Sequence, residues 1–189
     1  MKNTNFKGKL IMIIGPPASG KSTLAAEVHT ELKKKGLNSI FVSEVATDYI
    51  AEYGIPNTPS DQMVIFYKQL NREKMFLENK DYIICDSSSI LNYFYFRSLF
   101  DKKLTKKDIA SINHLQKEIL KHLTTIDTIF YVPPMDVDVN DGIRYHNEDE
   151  IKKLGIWIKS YLEIENIEHV DLSNVDIPKR FNKIINYIC

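Results

Sequence analysis

The segment Gly15-Pro16-Pro17-Ala18-Ser19-Gly20-Lys21-Ser22 meets in full the spacing G-x-x-x-x-G-K-[ST]. Its chemistry is that of a polyphosphate cradle. Gly15 and Gly20 let the backbone bend round an anion with no β-carbon in the way, so loop amides and a helix N-terminus point at phosphate oxygens. Lys21 can bridge the β- and γ-phosphates of ATP or GTP, and the Ser22 hydroxyl can ligate Mg²⁺. Pro17, Ala18, Ser19 and Thr23 complete the candidate nucleotide-binding lining. At average composition such a pattern arises by chance in roughly one chain in a hundred of this length. Its place between an apolar run and a helical pattern lowers that figure further.

Two carboxylates lie where apolar runs stop. Asp86 follows Tyr82-Ile83-Ile84-Cys85 and suits a Walker-B role: holding Mg²⁺ through water, or binding the acceptor hydroxyl. Capping the next helix is the plainer alternative. Glu44 follows Ser39-Ile40-Phe41-Val42, and a carboxylate there can orient or deprotonate an attacking hydroxyl, or cap a helix. Which of the two would be the base is open. Asp48, one helical turn on, could share a substrate pocket or lie on a solvated face. Arginine, the usual bidentate phosphate reader, occurs four times, as Arg72, Arg97, Arg144 and Arg180. Arg144 belongs to Asp136–Arg144, within a candidate lid loop at about 133–148. It could close over the γ-phosphate and exclude water, or pair with Asp141 or Glu148 on the surface. Arg97 and Arg72 are candidates for an acceptor phosphate.

The elements that must position these residues alternate in type. Leu10–Ile14, Ser39–Val42, Tyr82–Cys85, Thr128–Val132 and Glu168–Leu172 read as strands. Helical patterns cover Ser19–Lys35, a short stretch through Tyr53, about Ser60–Asn79, Tyr93–Phe96, a Thr105-capped segment, one opening at Asn147, and Asp176–Tyr187. This alternation predicts an α/β fold, a three-layer α/β/α sandwich with a five-stranded parallel sheet, P-loop nucleoside/nucleotide kinase-like, over 1–189 as a single domain. Ligands in such sheets bind beyond the strand C-termini.

Composition narrows the partners. Lys+Arg and Asp+Glu both number 25, so no bulk basic excess favours nucleic acid, although a local patch gripping one strand end stays open. No apolar run approaches the roughly 20 residues of a membrane span. The two cysteines, Cys85 and Cys189, lack metal-ligand spacing and read as reduced thiols, which together imply a cytoplasmic protein.

The loop at 15–23, Ser43-Glu44-Val45-Ala46, the strand-tip Asp86, Asp141-Gly142-Ile143-Arg144 and Ile164-Glu165-Asn166-Ile167-Glu168-His169-Val170 together resemble the AAA-type ATPase/kinase family of NAD metabolism. That family includes the ribosylnicotinamide kinase domain of the bacterial NAD-biosynthesis regulator. The resemblance spans most of the chain and implies ATP- and Mg²⁺-dependent phosphorylation of a small hydroxyl acceptor, such as nicotinamide riboside. By the same resemblance Lys21 and Ser22 serve ATP and Mg²⁺, Asp86 the acceptor or metal, and Arg144 the lid. No adenylyltransferase domain accompanies the motifs. Thr47-Asp48 stands where many relatives place an arginine. Free-standing relatives of this kind occur in phage genomes. The alternatives are a nucleoside monophosphate kinase, a nucleic-acid kinase, and an NTPase switch with no small acceptor. Four arginines are few for gripping an acceptor phosphate, which weakens the first. Oligomeric state is not legible.

Overall fold

Every residue from Leu10 to Ile14 has 0% exposure, so β1 (Lys9–Ile14) runs through the middle of a sheet covered on both faces. The computed structural model describes residues 8–99, 105–135 and 148–189. After β1 come α1 (Lys21–Lys34), β2 (Ser39–Val42), α2 (Val45–Tyr53), α3 (Pro59–Lys74), β3 (Tyr82–Asp86) and α4 (Leu91–Leu99). They are followed by α5 (Lys106–Leu123), β4 (Thr128–Tyr131), α6 (Glu148–Ile164), β5 (Val170–Asp171) and α7 (Ile177–Ile188). Among the described residues the sheet has five strands in the order β2-β3-β1-β4-β5, every neighbouring pair parallel.

Strand alternation divides the core in two. Leu10, Met12, Ile14, Ile83, Cys85, Ile129 and Tyr131 face a cluster built with α3, α4, α5 and α6. Ile11, Ile13, Ile84, Phe130 and Val132 face α1 and α7 through Leu24, Val28, Leu32, Ile184 and Ile188. These are the three expected layers.

Local chemistry moves some boundaries. α1 begins at Lys21 rather than Ser19 because Gly20, at φ 78°, is still in the left-handed region. α3 begins at Pro59, with Thr58 and Asp61 forming a capping box, and stops at Lys74 rather than Asn79. Thr105 caps α5 as expected, its box completed by Asp108. The last strand shortens to Val170–Asp171, matched to Phe130 and Tyr131 near the end of a short neighbour. The expected Asn147 cap and most of the lid loop, residues 136–147, lie outside the described residues.

A buried polar knot ties α3 and α5 to the turn after β3. Glu73 and His122 are both fully buried, with Nε2 2.6 Å from Oε2. The Ser89 amide donates to Glu73 Oε1 at 2.6 Å and the Ser89 hydroxyl to Oε2 at 2.8 Å. Cys85 is buried in the sheet while Cys189 is exposed. Desolvation first, then the charges of Glu73 and Asp86, push the Cys85 thiol well above its ordinary range. Among the described residues no helix is long and apolar enough to cross a membrane.

Candidate active site

The glycine-bent loop forms where β1 turns into α1, and its glycines are dictated by space and by dihedral. A β-carbon on Gly15 would sit 2.2 Å from the Val132 carbonyl oxygen, against backbone that cannot yield. Gly20 needs its positive φ, and Ala18, at φ 58°, also enters the left-handed region. Such alternation turns successive amides toward one concavity, the geometry of an anion nest. Lys21 is buried at the head of α1. Ser19 is 1% exposed and its hydroxyl oxygen has no partner among the described residues.

Strand register brings the carboxylates to this loop. Asp86 is matched to Ile13, two residues before Gly15, and Val42 to Cys85, which sets Glu44 just beyond the neighbouring tip. Asp86 is 6% exposed, and its Oδ1 lacks a partner among the described residues. Burial raises its pKa; the Lys21 charge and the Ser22 hydroxyl pull it down, and the Glu44 charge pushes it further up. Lys21, Ser22, Asp86 and Glu44, each singled out from the sequence, therefore lie close enough for the other three to act on Asp86.

A narrow cleft opens at the same tips, between Glu44, Gln69 of α3, Ser87, Ser88 and Asn92 of α4. Its volume, about 10 Å³, is about that of one water. Ser87, at φ 74°, turns the chain sharply after Asp86, and its amide donates to the Ile13 carbonyl at 3.0 Å. Gln69 Oε1 accepts from the Val45 amide at 2.8 Å, which leaves Nε2 as the free end; it is buried and unpartnered. Asn92 Nδ2 lies 3.5 Å from Gln62 Oε1.

Other sequence candidates are placed differently. Asp48 points away from this cleft and pairs with Arg72 at 2.8 Å, whose Nη1 also reaches the Ser43 hydroxyl at 3.3 Å. Arg97 lies on α4, its side chain outside the description, and Arg144 is outside the described residues. Gln69, Asn92 and Ser87–Ser88 went unnamed at the sequence level. The available signal was Gln62 and Gln69, two turns apart on the same face of α3 as Ile65, Phe66 and Leu70, which is an apolar stripe with amides in it.

On the α1 side of the loop lies a much larger cavity of about 970 Å³, bordered by Gly20, Thr23, Glu27 and the first turn of α7. That is the size of a small-molecule site.

A parallel 2-3-1-4-5 sheet with a glycine-bent anion loop after its central strand defines a P-loop, nucleotide-binding protein of the kinase-like fold. The model of the AAA domain family matches residues 10–180, and the chain belongs to that family. The crystal structure of the NadR protein in complex with NR superposes with a TM-score of 0.74 at 19% identity, over 96% of this chain and 51% of that one. The structure of deoxyadenosine kinase from M. mycoides with bound dATP gives 0.64 at 14% identity, over 94% and 97%. These likenesses establish the fold. Curated relatives include protein RecA of Wolbachia pipientis subsp. Culex pipiens (strain wPip), 36% identical over 85 residues, 43% of this chain. Protein RecA of the Wolbachia of Brugia malayi (strain TRS) is 38% identical over 85 residues. The chain spans about a fifth of the length of these curated relatives, 22%, and about half of the NadR chain, 51%.

Proposed function

We propose that this protein is an ATP-dependent phosphotransferase that phosphorylates a hydroxyl of a nucleoside-type acceptor, with nicotinamide riboside among the candidates. One observation carries the reading. The anion loop after β1 and a second cleft at the neighbouring β2 and β3 tips lie side by side, with Asp86 next to the loop and Glu44 on the cleft wall. A hydrolase needs only a positioned water there, whereas the cleft offers Gln69 Nε2 as a buried, unused donor for a substrate acceptor atom. The likeness to NadR and to deoxyadenosine kinase supports the same class.

In this reading the loop amides and Lys21 hold the triphosphate and draw charge from the departing β-phosphate. Asp86, whose Oδ1 has no partner among the described residues, and the Ser22 hydroxyl would hold Mg²⁺. Mg²⁺ held there would supply charge neutralisation to the phosphates. The acceptor oxygen forms the new bond to phosphorus as the bridging bond to the β-phosphate breaks. The hydroxyl proton passes to a carboxylate, Glu44 or Asp86, each able to serve as base. Arg144 is proposed as the lid cation and Arg97 as a further acceptor contact. Because the cleft holds no more than about a water's volume, acceptor binding must widen it.

The test is ATP consumption with Mg²⁺, alone and across a panel of nucleosides and nucleotides, for wild type and Lys21→Ala. Stimulation by one nucleoside class is expected, with Lys21→Ala about 100-fold slower or worse. Slow hydrolysis indifferent to every acceptor would replace the kinase by an NTPase.

A further inference from the structure

Arg180 stands out as a buried cation that no carboxylate accompanies. It is 7% exposed, in the first turn of α7, and its Nε donates to the Val175 carbonyl at 3.1 Å. Neither terminal nitrogen has a hydrogen-bond or ion-pair partner among the described residues, and burial is the one influence on its pKa, lowering it. The outer edge is not sealed from water, since the buried unpartnered side-chain atoms among the described residues are those of Ser19, Gln69, Asp86 and Tyr161. Arg180 lines the cavity of about 970 Å³ that begins at Gly20 and Thr23, with donors there that no described residue uses.

The direction of a bound nucleotide follows from the loop. Its amides and Lys21 take the terminal phosphates, which leaves the nucleoside end to one of the cavities flanking the loop. The cleft at Glu44 is too small to receive it, with about 10 Å³. The large cavity has the volume, and its far wall is Ile177, Pro178, Phe181 and Arg180. That wall is apolar apart from the one guanidinium, while the charged side chains Glu27, Glu31 and Lys34 that also line the cavity belong to α1 opposite.

We propose that Arg180 reads the base of the nucleotide held by the anion loop, its free edge donating to ring acceptors. A planar fork meets two adjacent acceptors best, and guanine presents O6 and N7 side by side where adenine presents N7 and an amine. The donor site is therefore built to take GTP at least as well as ATP. This rests on the nucleotide site assigned above but not on the acceptor.

Displacement of a fluorescent nucleotide by GTP, ATP and inorganic tripolyphosphate tests it, on wild type and Arg180→Met. Losing a charge-assisted bond to the base should weaken GTP about tenfold or more. Tripolyphosphate affinity should stay within about twofold, since that probe has no base. Arg180→Lys keeps the charge without the fork and should recover only part of the GTP affinity; full recovery would reduce Arg180 to a bulk charge. Equal losses for GTP and tripolyphosphate would make Arg180 a phosphate ligand, and unchanged GTP binding would remove it from the site; either result overturns the proposal. Should neither variant fold, wild type alone decides: 7-deaza-GTP is expected to bind several-fold more weakly than GTP, and equal affinities refute the assignment. If tripolyphosphate and nucleotides all fail to bind, the anion loop itself has been misread.

Discussion

Asp86 is held in a protonation balance set by its surroundings. Burial raises its pKa above the ordinary carboxylate value, and Lys21 and Ser22 compensate only in part. For a carboxyl whose pKa is raised on folding, the folded form retains a proton that the unfolded form releases. Its contribution to stability is therefore lost as pH rises from the ordinary carboxylate range through the raised value, and at neutral pH the folded protein carries the whole cost. Asp86→Asn should thus melt at or above wild type at neutral pH without nucleotide. The gap should narrow as the solution is acidified toward pH 4, and turnover should be lost throughout. Thermal melts across that pH range check this; a neutral-pH variant that melts below wild type would show that Asp86 holds the fold together instead.

At the scale of elements, legibility followed the strength of local signals. β1, β2, β3 and β4 were readable because continuous apolar runs have few other homes in a chain of this size, and the anion loop because its spacing is tied to one geometry. Gln69 was not readable, because its place in the cleft depends on which face of α3 meets the β2–α2 turn, a long-range fact. Glu73 and His122 were invisible for the same reason: 49 residues apart, they look like ordinary helix surface until α3 and α5 pack together. Once packed, they fix Ser89, three residues past Asp86. Removing one partner leaves a buried group unmatched, so Glu73→Ala should cost roughly 3–5 kcal/mol in urea unfolding. Glu73→Gln, which keeps an acceptor for the Ser89 amide, should cost less. A loss below about 1 kcal/mol for the alanine variant would mean the knot contributes little.

For the whole molecule, the two ligand regions are unequal. The donor side is open before anything binds, with about 970 Å³, while the cleft by Glu44 is nearly shut, with about 10 Å³. On the proposed reading nucleotide enters a formed cavity, whereas a nucleoside acceptor is expected to widen the cleft between α4 and the β2–α2 turn. Loading of the two sites should therefore differ in rate. The family match over residues 10–180 takes in the sheet and both regions, ending at Arg180.

The contrast between Cys85, sealed inside the sheet, and Cys189, one residue beyond α7, gives the protein a built-in chemical handle. A thiol kept neutral and out of reach does not meet an alkylating reagent, whereas an exposed one does. Colour development with a disulfide reagent should count one sulfhydryl in the native protein and two in denaturant; two at the outset would place Cys85 at the surface. A dye coupled at that outer sulfur would sit at the far end of the helix whose first turn holds Arg180, so a chain with no substitution could carry a reporter of the proposed nucleotide contact.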